Sequence, residues 1–137
     1  MELADTSAWT SGRQVADVAA AFDELVARGE IATCAMVKAE LLFERRTARD
    51  VTETRRRLDL LLDAPIGERA WRRALDVLEL LAERGPLHHR AVPIQDLLVA
   101  AAAERAEIPV LHYDRHFEVI ASVTGQPVRA LAPLGSL

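Results

Sequence analysis

The feature that most restricts this chain is the alternation of two hydrophobic periods along it. Short apolar runs of strand length alternate with longer stretches whose apolar residues recur every three or four positions, as on one face of a helix. The strand candidates are Met1–Ala4, Glu30–Thr33, Ala64–Ile66, Ile108–His112 and Pro127–Ala130. Arg13–Arg28 is the first helix candidate, stopped by Gly29, and Ala35–Arg46 is the second, with Met36, Ala39, Leu42 and Phe43 as its apolar stripe. Thr52–Leu62 follows, opened by a capping pattern at Thr47 or Thr52. Glu68–Arg84 turns Trp71, Ala74, Leu75, Leu78 and Leu81 inward and ends at Gly85-Pro86. Leu87–Val92 reads as a polar loop, Pro93 opens a helix running to Ala106, and Arg115–Ser122 is the last helix. The order β-α-β-α-α-β-α-α-β-α-β predicts a central, mainly parallel sheet of four to five short strands between helical layers, a three-layer α/β/α sandwich. No linker, repeat or low-complexity stretch interrupts it, so residues 1–137 are expected to form one domain.

Half of the residues are hydrophobic but only 4% are aromatic, a mixture that suits a helix-rich globular chain. Cys34 is the single cysteine, which excludes an intrachain disulfide and a thiolate metal cluster. Its neighbours Ala32, Thr33, Ala35 and Met36 make it read as a buried small hydrophobe. A net charge of −4 argues mildly against a nucleic-acid partner. The basic residues are nonetheless clustered: Arg45, Arg46 and Arg49, then Arg55, Arg56 and Arg57, then Arg72 and Arg73, with Lys38 the only lysine. Guanidinium groups suit bidentate contact with phosphate, although such runs also serve as solvated helix faces. The opening residues lack a basic region followed by an apolar stretch, and no apolar run approaches the ~20 residues that span a bilayer. A cytoplasmic chain with no membrane partner is the expectation.

Four acids, Asp5, Glu40, Asp96 and Asp114, sit where such a sheet would gather them. Active sites of open parallel sheets lie beyond the carboxyl ends of the strands. Asp5 closes the first strand, Asp114 follows the fourth, Asp96 lies in the first turn of the preceding helix, and Glu40 is one turn into the helix after the second strand. Singly each has a plainer reading: Asp5 and Asp96 as helix caps, Glu40 as a surface residue, Asp114 as an ion-pair partner of Arg115. Clustered, they would repel one another until a divalent cation relieved the repulsion. Such a cation could activate water and stabilise charge on a phosphodiester.

The ordered segments Leu3-Ala-Asp-Thr-Ser-Ala-Trp9, Ala39-Glu-Leu41, Ile94-Gln-Asp-Leu-Leu-Val-Ala-Ala-Ala-Ala103 and Ile108-Pro-Val-Leu-His-Tyr-Asp-Arg-His-Phe117 closely resemble PIN-domain ribonucleases. Within that family the chain looks most like VapC-type toxins of type II toxin–antitoxin pairs, over essentially its whole length. The resemblance implies a PIN-like α/β/α sandwich and a Mg²⁺-dependent endoribonuclease (with Mn²⁺ as a substitute) acting on structured RNA such as tRNA or rRNA. It implies Asp5, Glu40, Asp96 and Asp114 as catalytic residues, Asp5 and Asp96 as the main metal ligands, and Ser7 and His116 in support. It implies homodimers and a VapB-like antitoxin as partner. The apolar positions around Leu58, Leu61 and Leu62 are candidates for the antitoxin or dimer surface. The chain departs from the family pattern at His116, where many members carry Asp, and at His112, where Thr or Ser is usual. Less negative charge in the late half of the site argues against a second metal.

Taken residue by residue, His112 and His116 read as structural, and His88 and His89 as solvent-facing. Haloacid-dehalogenase-like and receiver domains also place an acid after their first strand. They fit poorly, because Ser7 stands where the former need a second Asp and no late lysine exists. The remaining alternative is a catalytically degenerate PIN fold that only binds RNA or protein.

Overall fold

In a computed structural model describing Met1–Leu137, five short strands form one sheet in the spatial order β3-β2-β1-β4-β5. They are β1 (Glu2–Ala4), β2 (Ile31–Thr33), β3 (Leu62–Asp63), β4 (Val110–His112) and β5 (Val128–Ala130), and every neighbouring pair is parallel. The helices are α1 (Thr6–Ser11), α2 (Ala16–Ala27), α3 (Ala35–Phe43), α4 (Ala48–Leu58), α5 (Glu68–Glu83), α6 (Ile94–Arg105) and α7 (Arg115–Thr124). From β1 the chain moves outward through β2 to β3, then crosses back to β4 on the other side of β1. The strand order therefore reverses between β1 and β4, and the crevice of a parallel sheet opens at such a reversal.

Successive side chains of a strand face opposite ways, and two cores follow from that. Leu3 and Val110 pack into a core with Val37 and Leu41 of α3, Ala74, Val77 and Leu81 of α5, the α6 residues Leu97–Ala100, and Phe117 and Ile120 of α7. Their neighbours Ala4 and Leu111 face the other layer, with Ile31, Ala8 of α1 and Phe22 of α2. Helix α6 is buried continuously from Asp96 to Ala103, as a helix apolar on all sides must be. No helix is long and apolar enough to cross a membrane. Burial of Cys34 is complete and pushes its thiol pKa up to about 11, in keeping with an inert core residue.

Several expectations need correction. Residues 6–11 form a short helix that periodicity does not reveal, because Asp5 caps it rather than an apolar stripe defining it. Helix α2 starts at Ala16, not Arg13, and buries only Phe22, with Val15 just before it 39% exposed. Thr47, not Thr52, opens α4: its Oγ1 accepts from Asp50 N at 3.1 Å. β3 lies two residues before the expected run, since Pro65 has no N–H for the ladder.

The inward faces of α3 and α5 are also rotated from the anticipated ones. Val37 and Leu41 face the core while Phe43 is 90% exposed. In α5 the buried set is Ala70, Ala74, Val77 and Leu81, leaving Trp71 and Leu75 outside. Small residues allow α5 to lie close against α6, where Arg73 donates to both Glu104 oxygens at 2.7 and 3.3 Å. Leu58, expected on a surface, is only 4% exposed.

Candidate active site

The acids meet at the strand reversal. Asp5 leaves the end of β1 and caps α1, with Ser7 donating to its Oδ2 through both N (3.0 Å) and Oγ (2.6 Å). The same Ser7 Oγ accepts from Tyr113 N at 2.9 Å, so one hydroxyl fastens the exit of β1 to that of β4. Asp114 repeats the device, capping α7 by accepting from His116 N at 3.0 Å. The plain reading of Asp5 as a cap thus holds, whereas Asp114 caps α7 instead of pairing with Arg115, and Asp96 lies inside α6, whose N-cap is Pro93. Capping fixes the Asp5 and Asp114 carboxylates in place. Asp96 arrives from the first turn of α6.

His116, which reads as structural in isolation, lies at the centre of this group. Its Nδ1 is 3.0 Å from Asp96 Oδ2 and 3.0 Å from Asp114 Oδ1. Donor atoms of Asp96, Asp114 and His116 all fall within 4.8 Å of one another, and Asp5 is not in that set. Asp5 is still near enough for its charge to raise the pKa of both Asp96 and Glu40. His112 keeps its structural reading: it is fully buried, with Nδ1 accepting from Asp114 N at 3.1 Å. Its Nε2 is 3.2 Å from Glu118 Oε1, too oblique for a hydrogen bond, and burial holds the imidazole pKa below its usual value. His89 is half-buried rather than solvent-facing, in a 3₁₀ turn over His88–Arg90.

Burial is the largest cause of the raised carboxylate pKa values, with mutual repulsion adding to it. Asp96 is pushed up to about 7 by desolvation, then by Asp5 and Asp114, against the pull of His116. Desolvation raises Asp5 while its Ser7 hydrogen bonds restrain it. Glu40 is raised by desolvation and by Asp5, and its Oε1 is buried without a hydrogen-bond partner. Thr6 Oγ1, beside it, also lacks a well-formed hydrogen bond, although its hydroxyl is near enough to pull the Glu40 pKa down against those two causes. Carboxylates forced together in this way, one with an orphaned oxygen, fit a divalent cation and its waters. Sequence reasoning undervalued His116 because only the tertiary fold brings it beside Asp96.

A parallel sheet with acids at its strand reversal is a frame for hydrolytic chemistry, and residues 3–123 match the PIN domain family, to which the chain belongs. Among its relatives is ribonuclease VapC18 of Mycobacterium tuberculosis, 37% identical over 97% of this chain and 96% of that protein. Ribonuclease VapC21 of the same species is 38% identical over 83% of this chain and 82% of the relative. Among solved structures, the DNA-bound VapBC of Salmonella typhimurium shares the fold with a TM-score of 0.69, at 15% identity, over 96% of this chain and all (100%) of that one. VapBC-5 of Mycobacterium tuberculosis, a toxin–antitoxin system, is 26% identical with a TM-score of 0.50, over 73% of this chain and 79% of its own.

Proposed function

We propose that this chain, acting as one domain in the cytoplasm, is the toxin of a type II toxin–antitoxin pair. It is an endoribonuclease that hydrolyses a phosphodiester of structured RNA, tRNA or rRNA. The observation that supports this best is the meeting of Asp5, Asp96 and Asp114 at the β1/β4 reversal, with Ser7 joining the two exits. Asp5, Asp96 and Asp114 are the residues that would hold a divalent cation, Mg²⁺ or Mn²⁺. Bound there, the cation would offset the mutual repulsion of the acids and polarise both water and phosphate. Glu40, with its raised pKa and unpartnered oxygen, is suited to accept a proton from the attacking water. Ser7 holds Asp5 in the rotamer that faces the crevice.

The partner reading rests on a cavity of about 740 Å³ between α1, α2, α3 and α4. Trp9, Val26, Leu41 and Leu61 line it together with Arg45, Arg57 and the Arg13–Asp23 ion pair, so two of its three arginines are free of a carboxylate partner. An apolar segment with acidic flanks from a VapB-type antitoxin matches that lining, and Leu41 adjoins Glu40 on α3. Exposed Phe43, Trp71 and Leu75 are the candidates for a homodimer face.

Antitoxin-free protein incubated with total cellular RNA tests the activity, in Mg²⁺, in chelator and as Asp96→Asn. Discrete fragments that vanish in chelator, with cleavage at least ~10³-fold lower in the variant, are expected. A folded, antitoxin-binding chain that never cuts would be a binding module instead.

A further inference from the structure

His116 is the residue whose geometry exceeds a structural role. Its backbone N–H is tied to Asp114 Oδ1 at 3.0 Å, which anchors the residue in the first turn of α7. Its Nδ1 then stands 3.0 Å from Asp96 Oδ2 and 3.0 Å from Asp114 Oδ1. A single N–H cannot point well at two carboxylate oxygens at once, whereas a nitrogen lone pair and two oxygens can converge on one cation. Neighbouring ligands of an octahedral ion at ~2.1 Å stand about 3.0 Å apart, the separation Nδ1 already has from each of the two oxygens, and the Asp96 and Asp114 donors lie within 4.8 Å of one another. The other imidazole at this rim, His112, is committed: its Nδ1 accepts a backbone N–H and its Nε2 sits beside Glu118.

We propose that His116 Nδ1 is a direct ligand of the divalent cation in this site, and that it turns the site's preference from Mg²⁺ toward Mn²⁺. The inference rests on the metal-dependent reading of the Asp5–Asp96–Asp114 cluster and adds to it a nitrogen donor and a choice of ion. Mg²⁺ is hard, binds oxygen and gives up water reluctantly, so exchanging a water for imidazole gains it little. First-row transition cations accept imidazole more readily, and Mn²⁺ is the one that also keeps a mainly oxygen, octahedral shell. An Asp at position 116 would restore an all-oxygen set. It would also suit the first turn of α7, where a carboxylate faces the helix N-terminus favourably, so the variant should fold.

The test uses the full chain, stripped with chelator and reloaded with Mn²⁺ or Mg²⁺, as wild type, His116→Asp and His116→Gln, with circular dichroism to check folding. Electron spin-echo spectroscopy of bound Mn²⁺ should show ¹⁴N coupling from a directly bound imidazole in the wild type and in neither variant. Calorimetric titration should show the ratio of Mn²⁺ to Mg²⁺ affinity falling by about tenfold or more in His116→Asp. Mn²⁺ bound without ¹⁴N coupling, coupling that persists in the variants, or an unchanged affinity ratio each overturns the role of His116 while leaving metal-dependent ribonuclease chemistry standing. Failure of the wild type to bind either ion removes both.

Discussion

Two regions of the molecule are unsatisfied in opposite ways. At the β1/β4 rim the backbone and side chains are fastened to one another: Ser7 to Asp5, Tyr113 to Ser7, and His116 to Asp114 and Asp96. What that rim lacks is countercharge. Between α1 and α4 the reverse holds: the half-buried Trp9, Val26 and Leu61 line an open cavity and lack full apolar cover, while Arg45 and Arg57 supply charge there in addition to the Arg13–Asp23 pair. On the proposed reading, a small cation would answer the first shortage and a large amphipathic segment the second. One molecule can therefore have chemistry and control in different places.

The largest expected effect tests the stress at the rim. Asp96 has its pKa raised from 3.8 to about 7, so the folded state retains a proton that the unfolded chain has already lost. Its contribution is favourable below pH ~3.8 and is lost as pH rises through about 7. At ~1.4 kcal/mol per pKa unit, ionising it in the folded chain costs at most ~4 kcal/mol. In chelator, the wild type should melt several degrees lower at pH 8 than at pH 5. Asp96→Asn should flatten that profile and melt above the wild type at pH 8. A variant that is less stable at both pH values would mean the rim is not under repulsive stress.

Leu58 breaks the comparison on the other side, because it lines the cavity yet is 4% exposed. Leu58→Ala should cost ~2–4 kcal/mol in urea unfolding and leave the rate of RNA cleavage per folded molecule unchanged. Slower turnover at full folding would show that the two regions are coupled. Ser7→Ala sharpens the contrast from the rim: metal affinity should drop by about 10–100-fold, with the far-UV spectrum retained. Phe43, at 90% exposure, is the smallest effect. Phe43→Ser should move monomer stability by less than ~0.5 kcal/mol, measured below any dimerisation concentration.

The architecture was legible because alternating hydrophobic periods report layers directly, and Asp5 and Asp114 were legible because each follows a strand at the reversal, whereas Asp96 and Glu40 are carried by helices. What escaped was phase. On α3 and α5, apolar residues offer more than one stripe of helical period, and the large side chains Phe43, Trp71 and Leu75 suggested one face. The fold keeps the anticipated Ala74 and Leu81 but adds Ala70 and Val77 beside them in place of Trp71 and Leu75, and on α3 buries Val37 and Leu41, because close packing favours side chains that fit over those of largest area. Helix α1 escaped because a cap, not a pattern, creates it. His116 was named only in support, from the resemblance; its contact with Asp96 was not legible, because the two are 20 positions apart and meet only through the α6–β4–α7 turn of the chain.

The continuous burial of α6 has a consequence for how the rim can adapt. Asp96 is mounted at the start of a run, Leu97–Ala103, that has no solvent-facing side and so no free volume into which to shift. The carboxylate with the largest raised pKa in the site is thus carried by the least deformable support. If the rim binds an ion or a scissile phosphate as proposed, accommodation would come from the partly exposed side chains of Asp114 and His116, 35% and 31% accessible. The rim behaves as a fixed jaw on α6 and an adjustable jaw on α7, and a substitution that stiffens α7 should narrow the range of ions the site accepts.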